Sequence, residues 1–95
     1  MGSLKVMTCY IIIYESNEKE EEIIDLIQNY ETHAQICQNT WAVVTNEEAT
    51  DIRDKLKKII TAEDRIFVIK SGAEAGWANV ICEKSWLHTY LMNEY

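Results

Sequence analysis

Two places in this 95-residue sequence hold side chains whose types and spacing can do chemistry. The first is Glu15, which follows the apolar run Val6–Tyr14 and so stands where a strand delivers its last side chain to the rim of a sheet. A carboxylate there can ligate a hard divalent cation such as Mg2+, or simply lie exposed and lead into a helix cap. The second is the stretch from Lys70 to Asn79, which holds Gly72 and Gly76, two of the three glycines. Glycines let backbone amides turn towards an anion, Lys70 and Ser71 supply a charge and a hydroxyl, and Trp77 offers a flat face for a base. That equipment suits a small nucleotide-derived ligand. A tight loop whose tryptophan plugs the core or an oligomer seam uses the same residues.

Other reactive types lack the spacing that chemistry needs. His33 and His88 have no partner at nucleophile or metal-site spacing. Cys9, Cys37 and Cys82 stand far apart, so neither a disulfide framework nor a zinc site is signalled, and Cys9 reads as a small core residue. The acids Glu18 to Glu22 read as the solvated first turn of a helix. Arg53, Lys55, Lys57 and Lys58 share a helix with Asp51 and Asp54 and read as a mixed polar face with i,i+4 ion pairs.

Charge narrows the partners. Lys plus Arg number 9 and Asp plus Glu 16, a net charge of −7, and only residues 33–58, with four bases against four acids, escape the acidic excess. Such a chain is a poor match for duplex nucleic acid. The apolar fraction of 47% and charged fraction of 26% are those of an ordinary globular domain. The longest apolar run is roughly half the length of a membrane helix, and no signal-peptide pattern precedes it. A cytoplasmic protein without a membrane partner is expected. Residues 1–3 read as a possible cloning remnant, and residues 4–95 as one domain.

The elements that must position these groups follow from hydrophobic period. Val6–Tyr14 is continuously apolar and β-branched or aromatic, which predicts a central strand covered on both faces or nearly so. Ser16-Asn17 before Glu18–Glu22 predicts a helix start, and Ile23, Ile24, Ile27 and Tyr30 repeat at helical spacing. Short strands are expected around Ala34–Cys37 and Thr40–Thr45, with Gln38-Asn39 as a turn or a bulge. Thr45-Asn46-Glu47-Glu48 has the form of a capping box, and Ala49, Ile52, Leu56, Ile59 and Ile60 keep the 3.6-residue period behind it. Arg65–Lys70 reads as a further buried strand, and a short amphipathic helix is expected from about Glu83. The order is βαββαβ, an α+β ferredoxin-like sandwich with two helices on one sheet face and a short C-terminal helix. The other face then lacks cover, which predicts a homodimer or higher oligomer through the sheet.

Several short motifs resemble a known family. They are Tyr10–Glu15 at the end of the first strand, Asn39-Thr40-Trp41 opening the third, Ile52–Leu56 in the second helix, Asp64–Ile69 in the last strand, and Ala75-Gly76-Trp77 after it. Over about residues 6–90 the chain resembles the small CRISPR-associated ferredoxin-fold nucleases, most closely the SinR-like branch of bacteria and phages. That resemblance implies homodimers formed through the sheets. It also implies an acidic residue, usually Asp, at the end of the first strand, where two copies hold a divalent cation for phosphodiester cleavage. Glu15 takes that position here, with a side chain longer by one methylene, and metal sites tolerate little displacement. Other members of the family are structural subunits and cleave nothing.

Three functions are therefore expected, in this order. The first is a non-catalytic homo-oligomer that captures a small nucleotide-derived ligand or a protein partner at the protomer interface, through Lys70, Ser71, Gly72, Gly76 and Trp77 and with no cofactor. The second is a Mg2+-dependent endoribonuclease of the CRISPR-adaptation or toxin type with Glu15 as catalytic residue and metal ligand. The third is a structural subunit that only bridges other proteins. A setting in phage or bacterial defence is expected for all three.

Overall fold

The computed structural model describes residues 6–72 and 74–92; the possible remnant at 1–3 lies outside them. The elements are β1 (Thr8–Glu15), α1 (Glu20–Gln28), β2 (Thr32–Cys37), β3 (Thr40–Thr45), α2 (Ala49–Lys57), β4 (Arg65–Lys70) and α3 (Lys84–Trp86), which continues as a π-helical stretch, Leu87–Met92. The strands form one antiparallel sheet in the order β2-β3-β1-β4. The fold is α+β, and its element order is the one the hydrophobic periods predict. Among the described residues no helix is long and apolar enough to cross a membrane.

Strand alternation decides what the sheet buries. Tyr10, Ile12 and Tyr14 of β1 and Trp41 and Val43 of β3 point to one face, where they join Ile23 and Ile27 of α1 and Ile52 and Leu56 of α2 in a single buried cluster. Each fully buried aliphatic side chain there stabilises the fold by about 1.5–3 kcal/mol.

Helix starts differ from the sequence reading by a few residues, for local reasons. Ser16 does not cap α1; its hydroxyl accepts the Lys19 amide at 2.9 Å and closes a turn before the helix begins at Glu20. β3 runs through Thr45, so the predicted box at Thr45–Glu48 is displaced. Thr45 accepts the Glu47 amide at 3.2 Å, while the reciprocal cap of α2 falls on Glu48 and Asp51, whose carboxylate accepts the Glu48 amide at 3.0 Å. β2 begins earlier than expected, at Thr32, and meets β3 through a turn at Gln38-Asn39 with a register shift between Gln35 and Cys37.

The larger correction concerns β4. It is an edge strand, not a buried one: Ile66 and Val68 pack on the helix side, while Phe67 and Ile69 face away and are 56% and 48% exposed. The face away from α1 and α2 is covered only in part. Ala34, Ala42 and Cys9 point to it and are buried, and so is Leu87 of the C-terminal segment, at 0% exposure. The Ile81 amide donates to the Ile36 carbonyl at 2.9 Å, tying that segment to β2. The chain after β4 thus folds back over the β2–β3 half and leaves the β1–β4 half open.

Candidate binding face at the β1–β4 edge

The open half is built from alternate residues of two paired strands. Ile13 stands opposite Phe67 and Ile11 opposite Ile69, so their side chains form one apolar patch on the uncovered face. Ile13 is 40% exposed. At one end the patch runs into a groove of about 590 Å³ lined by Ile13, Phe67, Ile60, Glu15, Asp64 and Arg65. Two carboxylates and a guanidinium therefore rim an apolar floor.

Glu15 sits at this rim, where the strand register brings Arg65 opposite it; the Arg65 guanidinium donates to its carboxylate at 2.8 Å. The pair is well exposed and worth little to stability. Asp64 accepts the Thr61 amide at 2.9 Å, and that hydrogen bond holds its carboxyl below the usual range. A divalent cation of the kind the family resemblance implies needs several hard oxygen ligands. Within one chain Glu15 is committed to a guanidinium, and no group of three His, Cys, Asp or Glu among the described residues is spaced to hold a metal. The residues do not fit such an ion within a single copy.

The loop after β4 is less unified than its sequence implies. The Ser71 amide donates to the Cys9 carbonyl at 2.9 Å, prolonging the β1–β4 ladder. Neither Gly72 nor Gly76 has a positive φ; Asn79, at 58°, takes the left-handed turn instead. Trp77 meets His88 edge-on at 5.2 Å between ring centroids and, with Asn79, Cys82 and Lys84, lines a cleft of about 370 Å³. Lys70, Ser71, Gly72 and Gly76 do not line that cleft.

Sequence reading missed a polar cluster on the helix side. Tyr30 donates to the Glu47 carboxylate at 2.7 Å, Tyr10 donates to the Glu47 carbonyl at 2.8 Å, and Lys55 pairs with Glu47 while its ammonium lies 5.1 Å from the Tyr30 ring centre. Burial pushes the Glu47 carboxyl up, but the hydrogen bonds from Lys55 and Tyr30 outweigh it and hold the group below its ordinary range. The cluster ties the turn after α1 to β1 and α2, and its members are too far apart in sequence for any local pattern to join them. It also changes the helix face: Lys55 takes Glu47 and Arg53 takes Asp54, in place of the expected i,i+4 pairs.

Two buried acids give the fold an alkaline limit. Burial pushes the Cys9 thiol up from 9.0 to about 11. Burial, then the Tyr14 hydroxyl's hydrogen bond to Glu20 at 2.8 Å, pushes Tyr14 up from 10.0 to about 12. Both groups hold their protons more tightly in the folded chain than in the unfolded one, so their contribution is complete below about pH 9 and is lost as pH rises through 11 to 12. Thermal midpoints measured across this range should fall, and Tyr14→Phe should flatten the upper part of the decline. Compared with protein-family models, curated proteins and solved structures, the chain matches none.

Proposed function

We propose that the chain is a non-catalytic binding protein of the cytoplasm that self-associates through the open half of its sheet and captures a partner at the seam. In this reading the fold is a ferredoxin-like sandwich of the kind found in the small CRISPR-associated nucleases, used for binding rather than cleavage. The observation that carries it is the grouping of Ile13, Phe67 and Ile69 on one uncovered face.

Half-exposed as they are, burying each of the three gives about 1 kcal/mol, and a two-fold axis doubles the sum. The rim adds complementarity. Glu15 and Arg65 lie side by side, and a two-fold lets each acid meet the base of the other copy. β4 has a strand neighbour on one side only, so its free amides and carbonyls lie along the same seam.

A nucleotide-sized ligand is supported not at the seam but at the cleft of about 370 Å³ in the segment after β4, where Trp77 offers a ring and Lys84 a cation. A thermal-shift screen with linear and cyclic nucleotides tests that part, because a ligand held only by the native state raises the midpoint. If none raises it, and Trp77→Ala merely lowers stability, the partner is a protein. Magnesium-dependent cleavage of single-stranded RNA that disappears in Glu15→Ala would replace the whole reading with the ribonuclease one.

A further inference from the structure

We propose that Cys37 and Cys82 form a reversible disulfide that latches the C-terminal segment onto β2. Each cysteine follows one member of a backbone hydrogen bond: the Ile81 amide donates to the Ile36 carbonyl at 2.9 Å. That bond brings the end of β2 and the segment before α3 side by side, although the two residues are far apart in sequence. Cys37 is exposed and Cys82 half-buried, and both are free thiols, so solvent-borne reagents reach the pair. Burial is what chiefly raises the Cys82 thiol, and negative charge on Cys37 adds to it in the same direction. Cys82 lies outside the strands, in a segment with no ladder to hold its backbone away from the Cα separation a disulfide needs.

The oxidant is a low-molecular-weight disulfide, such as oxidised glutathione. The Cys37 thiolate attacks one of its sulfurs, forming a mixed disulfide and releasing the first small thiolate. The Cys82 thiolate then attacks the Cys37 sulfur, the Sγ–Sγ bond forms, and the second small thiolate leaves. Two protein thiols are oxidised, one small disulfide is reduced to two thiols, and the two protons pass to the departing sulfurs. Cys37 attacks first because it is the exposed thiol; burial keeps Cys82 protonated longer. Cys9 takes no part, being buried in the sheet.

The consequence is a redox-set cover. The segment that carries Leu87 over the β2–β3 half of the sheet is bonded to β2 when oxidised and held by packing and hydrogen bonds when reduced. The open β1–β4 half is untouched, so the latch closes whether or not the chain self-associates.

The test is incubation of the full chain with oxidised glutathione, followed by intact mass and peptide mapping. The expected product is a single-chain species lighter by two hydrogen atoms, with the Cys37 and Cys82 peptides linked, restored by dithiothreitol. Its thermal midpoint should rise by roughly 10 °C. Cys82→Ser should stop at a glutathione adduct on Cys37, and Cys37→Ser should react much more slowly. Adducts without the internal link in the unsubstituted protein, links only between chains, or a link through Cys9 would each overturn the proposal.

Discussion

Phe67→Asp is expected to turn a self-associated protein into a single-copy species at micromolar concentration, read by sedimentation. Phe67 is 56% exposed at the centre of the open patch, with Ile13 opposite it and Ile69 two residues along the same strand. A two-fold interface loses two half-buried phenyl rings, about 2–3 kcal/mol together, which corresponds to roughly 10²-fold in the dissociation constant. The two introduced carboxylates add desolvation and repulsion in the same direction. Folding of the separated chain should change by no more than about 0.5 kcal/mol, because an exposed side chain is not what holds the core. The two readouts together separate loss of an interface from loss of the fold. If the unsubstituted chain sediments as one copy at micromolar concentration, the seam does not exist and the binding reading fails with it.

Leu87→Ala is expected to cost about 2–4 kcal/mol of folding stability, a fall of roughly 10–20 °C in the thermal midpoint. Leu87 belongs to the apolar stripe of Trp86, Leu87, Tyr90 and Leu91 expected in the short C-terminal helix, and it is as completely buried as Ile12 or Leu56. Its removal leaves a cavity beneath the C-terminal segment and loosens the cover over Ala34, Ala42 and Cys9. Cys9 should then react faster with a thiol reagent, with the opposite edge unaffected. A loss well below 1 kcal/mol with unchanged Cys9 reactivity would mean that the segment rests on the sheet without holding it.

These two residues mark the limits of what could be read in advance. The core stripe of α2, Ile52 and Leu56, was legible because helical period leaves only one face for burial, and the same holds for Tyr10, Ile12 and Tyr14 in β1. The position of Glu15 at the end of the central strand was legible from where the apolar run stops. Its pairing with Arg65 was not, since a register between strands fifty residues apart has no local signature. The same applies to Glu47, whose partners Tyr30 and Lys55 come from the turn after α1 and from α2.

Local pattern by itself therefore determined the kinds of element, their order and the side of each that is apolar, because those depend on period and on neighbours a few residues away. It also pointed to a sheet face in want of cover. Only the tertiary structure decided how that face is shared out. A strand that reads as uniformly apolar can lie in the middle of a sheet or at its rim, and the difference is made by which strands pair. β4 fell at the rim and kept Phe67 and Ile69 in water. The segment after it returned over the opposite half, bringing Cys82 towards Cys37 and burying Leu87. Neither outcome is encoded within any short window, because both follow from chain reversal across the whole sheet.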